Sequence, residues 1–144
     1  MKRNNRKTKF GSTNNLDRHK RSQLHYAAQE NDAAVTRDLL AQGLDVNGQD
    51  SDGWTPLHFA AQANSVEAAR VLVGHGAKVD VQDSFGTSPL HVAVFNYDGK
   101  SEMVQLLRAA GADPLRVNNS GVSPVQLARM IANTRVRELF DDLK

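Results

Sequence analysis

The sequence contains no cysteine, which removes disulfide bonds, thiolate nucleophiles and sulfur metal ligands and suits a reducing compartment. It also lacks long apolar runs. None approaches the roughly 18 residues of a membrane span, so no membrane insertion is expected. The basic N-terminus is followed by neither an apolar segment nor a small-residue cleavage pattern, so a secretory signal is not expected and the chain is assigned to the cytoplasm. In that setting the sequon Asn118-Asn119-Ser120 is a chance match. Catalytic signatures are missing as well. "YDGKS" at 97–101 ends like a phosphate-binding loop, but Val94 stands where that loop needs its first glycine. Ser88 and Ser123 lie in "GTSPL" and "GVSPV", outside any nucleophile-elbow pattern. Aspartates and glutamates are spread along the chain with no pair placed in a common pocket. The reading is therefore non-enzymatic, with no cofactor and no metal.

Charge of one sign is scarce at the start. Residues 1–21 hold eight basic side chains against Asp17 alone, a net +7, whereas residues 22–144 carry ten basic and fifteen acidic groups, a net −5. The body is acidic and the pI of about 9.1 reflects the N-terminal segment. "MKRNNRKTKFGSTNN" has too few apolar groups to offset the entropy of ordering, so residues 1–16 read as a disordered basic tail.

What the chain has in abundance is repetition. Leu24-His25, Leu57-His58, Leu90-His91 and a degenerate Val125-Gln126 recur at steps of 33, 33 and 35 residues. Thr55-Pro56, Ser88-Pro89 and Ser123-Pro124 each set a capping hydroxyl before a proline at a first helical position, where its missing N–H does no harm. Leu57, Ala60 and Ala61 then form an apolar stripe at helical spacing. Asn31 and Asn64 stand where the chain needs a left-handed residue to stop that helix. A second helix follows in each unit, with Val35, Leu39 and Leu40, then Ala69, Leu72 and Val73, then Val104, Leu106 and Leu107 as apolar positions. Gly43, Gly76 and Gly111 end these helices. "DVNGQDSDGW" and "KVDVQDSFGT" are Asp/Gly-rich turns between units.

The motif "TPLHFA" with its period of 33 resembles the ankyrin repeat family. The resemblance implies an all-α repeat solenoid of about four helix-turn-helix units with short β-hairpin-like turns, at 17–49, 50–82, 83–117 and 118–144. The first unit departs from it: Lys20 replaces a glycine and Ser22-Gln23 replaces Thr-Pro, which leaves the first hairpin doubtful. The last unit has Gln126 for histidine and a polar second helix, as suits a terminal cap. The third is two residues longer, and "FNYDGKSE" is read as a lengthened loop between its helices. One helix pair cannot bury both faces alone, so the units stack.

By resemblance His25, His58 and His91, with Thr55 and Pro56, are structural residues that tie adjacent turns together. Their 33-residue spacing also argues against zinc, whose ligands gather at short intervals. His75, in "GHG", falls at a helix end, where a cation suits the helix dipole.

The resemblance further implies a module that binds another protein on its concave side, although fold alone does not name the partner. The hairpin-tip candidates are Ser51, Asp52 and Trp54, then Ser84, Phe85 and Thr87, then Asn119, Ser120 and Val122. Gln29, Glu30, Gln62, Ala63 and Phe95 extend the row onto the first helices. Trp54 and Phe85 stand out because a repeat does not require an aromatic ring there and such rings dominate interface energies; packing of Trp54 on its own hairpin is the alternative. Asp50, Asp52, Asp80, Asp83 and Asp98 suggest an acidic rim that favours a basic partner, although Asp50 and Asp83 also fit local turn hydrogen bonds. The wording resembles small stand-alone bacterial ankyrin proteins, some of which act as immunity proteins that neutralise a toxin, often a basic nuclease. The chain is expected to be monomeric when unbound. The second reading is weak, non-specific nucleic-acid binding by the basic tail, driven by phosphate contacts and with Phe10 as its only aromatic residue.

Overall fold

A computed structural model describes residues 16–131 and 133–143. The basic tail therefore lies outside the described residues except for Leu16. The described residues form eight helices and no strand: α1 (Gln23–Gln29), α2 (Ala33–Ala41), α3 (Pro56–Ala63), α4 (Val66–Gly74), α5 (Pro89–Phe95), α6 (Glu102–Ala109), α7 (Pro124–Met130) and α8 (Thr134–Glu138). They pair in sequence as four repeats. The odd-numbered helices pack side by side in one layer, α2, α4 and α6 form a second layer behind them, and α8 folds against α7.

Each repeat starts from a hydroxyl. Ser22, Thr55, Ser88 and Ser123 are extended N-cap residues whose side chains accept a backbone N–H of the first turn. Such a cap contributes about 1 kcal/mol. Stops are equally local: Asn31 and Asn64 take the left-handed conformation at φ +57°, and Gly43, Gly76 and Gly111 end the second helices at φ +97°, +88° and +101°. The third repeat differs where its extra residues fall, since residues 96–101 separate α5 from α6.

Equivalent positions fill the core. Leu24, Leu57, Leu90 and Val125 are buried in the first layer, and Leu39, Leu72, Leu107 and Phe140 are buried between the layers. Ala27, Ala60, Ala93 and Ala128 lie among them as small residues that let neighbouring helices approach closely. Val35 departs from the sequence reading: it is exposed, whereas Ala68, Met103 and Val136 at the same register are buried. The reason is positional, because among the described residues α2 has a second-layer neighbour on one side only, α4. At the other end Leu115 and Val117 are exposed, in the register where Asn47, Asp80, Gln49 and Gln82 reach across to a following repeat.

The hairpins are built by one device used four times. Asp17, Asp50, Asp83 and Asn118 each accept, through Oδ1, the N–H groups two and four residues ahead, at 2.8–3.0 Å. The first hairpin closes despite its missing glycine, because Lys20 adopts φ +62° and its N–H reaches the Asp17 carbonyl at 2.9 Å. Successive tips are joined by backbone bonds: Ser51 N–H to His19 O, Ser84 N–H to Asp52 O, and Asn119 N–H to Phe85 O, at 2.8, 3.0 and 3.0 Å. The tips thus form a continuous edge beside the first-helix layer.

Candidate partner-binding groove

The histidines set the register of that edge. Nδ1 of His25, His58 and His91 accepts the backbone N–H of Ser22, Thr55 and Ser88 at 3.0, 3.1 and 3.1 Å. A backbone donor aimed at Nδ1 requires the tautomer with its proton on Nε2. From there His25 donates to Gly48 O and Trp54 O, His58 to Thr87 O and His91 to Val122 O, at 2.8–3.1 Å. Burial pushes all three imidazoles below their ordinary pKa, against the opposing pull of these carbonyls. Neither nitrogen offers a lone pair to a metal ion, and among the described residues no three potential ligands gather. Gln126 keeps only half of the arrangement. Its Oε1 accepts the Ser123 N–H at 2.9 Å, but among the described residues no further hairpin presents a carbonyl to it, and the residue is exposed.

In the first two repeats the residue before the cap reaches forward to the next hairpin. Arg21 Nε donates to Asp50 Oδ2 at 3.1 Å, and Trp54 Nε1 donates to Asp83 Oδ2 at 2.8 Å. The Trp54 indole stacks on His58 with centroids 5.4 Å apart and meets the Phe59 edge at 5.1 Å. The Arg21 guanidinium lies 5.1 Å over the other side of this cluster, on Phe59. Trp54 is therefore half-buried and tied down, while still facing the groove beside it.

That groove is open, about 520 Å³ in volume, and is lined by Asp50, Asp52 and Asp83, by Trp54, Phe59 and Phe85, by Gln29 and Gln62, and by Arg21. Three carboxylates thus face one guanidinium, and that guanidinium is already paired with the buried Asp50. Asp52 is exposed and belongs to neither of the two ion pairs among the described residues, Arg21–Asp50 and Arg108–Asp142. Phe85 projects from the third hairpin tip with 71% of its surface exposed. A smaller groove of about 460 Å³ adjoins at the first hairpin, lined by Asp17, Arg18, His19, Arg21 and Tyr26. Asp17 there is held down to a pKa of about 2: its desolvation, which acts upward, is outweighed by hydrogen bonds from the Tyr26 hydroxyl and from the Arg21 and His19 N–H groups.

The structure divides the candidate residues. Gln29, Gln62, Asp52, Trp54 and Phe85 meet in one groove, whereas Glu30, Asn119, Ser120, Val122 and Phe95 lie outside its lining. Ser84 and Asn119 serve the tip-to-tip edge, through Ser84 Oγ to Asp52 O and Asn119 Nδ2 to Ser84 O at 2.9 and 3.1 Å. The Thr87 and Val122 carbonyls are the histidine acceptors. Ser51 contributes its N–H to the first tip-to-tip bond. Of the other rim aspartates, Asp80 accepts the Asp113 N–H across repeats at 3.0 Å, and Asp98 accepts the Lys100 N–H within its own loop at 3.2 Å. Sequence reading missed two features. Met130 is 69% exposed at the end of α7, in the register of Gln29, Gln62 and Phe95, and the repeat alignment alone would have found it. Arg108 clamps the C-terminal segment through Asp142 Oδ1 and Oδ2 at 2.9 and 2.7 Å and through Leu139 O at 2.9 Å, a contact with no local signature.

No helix among the described residues is long and apolar enough to cross a membrane. A search among curated proteins returns no match. A family model described as ankyrin repeats (3 copies) matches residues 24–133, a span containing the caps Thr55, Ser88 and Ser123, the histidine ladder and helices α2 to α7 with all but the first residue of α1. Ankyrin repeats are protein-interaction modules, in general non-enzymatic, so another protein is the expected kind of partner. With three copies matched over most of its length, the chain belongs to the ankyrin repeat family.

Proposed function

We propose that the chain binds its partner protein on the concave face made by the hairpin tips and the odd-numbered helices. The observation that carries this reading is the groove holding Asp52 and Phe85, two exposed side chains that the repeat does not need for its own stability. Exposed aromatic groups of this kind dominate interface energies when a partner covers them, and uncompensated carboxylates speed the approach of a basic protein. The finer form of the proposal is an immunity protein acting in the cytoplasm, which binds and blocks a basic toxin such as a nuclease. Its support is the acidic groove together with the resemblance to small bacterial ankyrin proteins.

The test is a tagged pull-down from the native cell, comparing the intact chain with a Phe85→Ala/Asp52→Asn variant of unchanged thermal stability. Capture of a basic protein by the first and not by the second supports the reading. Equal capture by both removes the groove assignment. A second reading, nucleic-acid association through the net +7 of residues 1–21, is distinguished by deleting residues 1–16: salt-sensitive nucleic-acid binding is then lost, whereas partner capture by the groove survives.

A further inference from the structure

The inference concerns what the partner segment must look like, and it rests on the reading just given. Along the first-helix layer, the position five residues after the motif leucine is Gln29, then Gln62, then Phe95, then Met130. The first two line the acidic groove; the last two are large apolar side chains left 72% and 69% exposed at the ends of α5 and α7. These two helices pack directly against each other, so Phe95 and Met130 stand on neighbouring helices at one register. Neither contributes to the core. The same face therefore changes character along the stack, from carboxylates and amides in the first two repeats to bare apolar surface in the last two. Phe85 and Asp52 sit on adjacent tips joined by a hydrogen bond, Ser84 N–H to Asp52 O at 3.0 Å.

We propose that the partner presents a bipartite segment: a lysine or arginine seated at Asp52 against the Trp54 and Phe85 rings, followed by apolar side chains that cover Phe95 and Met130. Charge complementarity selects the cation, because the groove carries three carboxylates against one guanidinium that Asp50 already holds. The aromatic rings add the attraction of a π face for a cation. Helix spacing sets the distances. Packed helices lie about 8–10 Å apart, so one step along the stack corresponds to about seven residues of a partner helix at 1.5 Å per residue, or about three of an extended strand at 3.3 Å. The orientation is fixed as well, with the basic end over the second repeat and the apolar end over the third and fourth.

The experiment is phage display of random linear peptides against the intact chain, followed by fluorescence polarisation with the enriched peptides. The expected families pair Arg or Lys with Leu, Ile, Phe or Met at a spacing of three or seven. Their affinity should fall roughly tenfold or more in Asp52→Asn and, separately, in Phe95→Ser/Met130→Ser, the size of loss typical of a desolvated interface contact. All three side chains are exposed, so unfolding midpoints should not move, and circular dichroism checks this. Peptides lost in Phe85→Ala but carrying no cation, or insensitive to Asp52→Asn, keep the groove as the binding face and overturn the bipartite partner. Polybasic peptides without an apolar half, resembling residues 2–9 of the chain itself, overturn it too and assign the groove to the N-terminal segment. Peptides indifferent to every variant, or no enrichment at all, count against both the bipartite segment and the concave face.

Discussion

Gly86 and Gly121 provide an internal control for what holds adjacent hairpins together. Both adopt φ +78°, so alanine at either position pays the same backbone penalty, about 1 kcal/mol. Their surroundings differ. A Cβ on Gly121 would meet nothing within 4 Å, whereas on Gly86 it would lie 2.6 Å from Asn119 Oδ1, 2.7 Å from Asn119 N and 3.0 Å from Asn118 Cα. Those atoms belong to the next hairpin, and Asn119 N–H is bonded to Phe85 O at 3.0 Å, so the backbone cannot retreat without losing that bond. A lost net hydrogen bond costs about 1 kcal/mol, and forcing atoms apart in a packed region costs about 1–3 kcal/mol. Gly121→Ala should therefore cost about 1 kcal/mol and Gly86→Ala about 3 kcal/mol. Urea unfolding followed by far-ultraviolet circular dichroism measures both. The Gly86 variant should also show a lower denaturant slope, because a weakened interface lets the last repeat unfold separately. Equal costs for the two substitutions would refute the claim that close hairpin approach, rather than backbone conformation alone, demands glycine at position 86.

Other consequences follow from the ladder and the tryptophan. His58→Gln should keep the cap, as Gln126 does, but lose the bond to Thr87 O, costing about 1 kcal/mol in the same unfolding experiment; a cost near zero would show that the cross-hairpin bond adds nothing. The three buried histidines have folded pKa values below their unfolded value of 6.5, so below that pH the unfolded chain binds more protons than the folded one. Stability is then fully present above pH 6.5 and declines as pH falls from there toward the folded pKa values, and replacing His58 with Gln should flatten the decline; midpoints measured across this range check the sign. Trp54→Phe keeps a ring against His58 and Phe59 but leaves Asp83 Oδ2 without its indole donor, with an expected loss of about 1 kcal/mol. Should Trp54→Phe leave stability unchanged while abolishing partner capture, the indole would serve binding rather than packing.

The sequence alone determined the repeat and its punctuation. Caps, prolines at the first helical position, Asn31 and Asn64, and the stop glycines act through the backbone within a few residues, so their outcome does not depend on distant contacts. The family resemblance was legible for the same reason, and so was the longer third loop. Lys20 shows where local reading falls short: its side chain disfavours φ +62°, yet the Asp17 carboxylate holds the turn closed by accepting two N–H groups. What only the tertiary structure decided is which side chains are used up between repeats. Trp54 and Phe85 look alike as unrequired aromatic residues at hairpin positions, but Trp54 is drawn to Asp83, which lies 29 residues further along the chain, while Phe85 is left in solvent. Asp50, Asp80 and Asp83 likewise read as an acidic rim until their acceptor atoms are seen bonded, which leaves Asp52 as the exposed carboxylate of the groove. Burial at a given register also depends on place in the stack: Val35 is exposed and Val136 is covered, because a repeat hides only the faces that a neighbour touches.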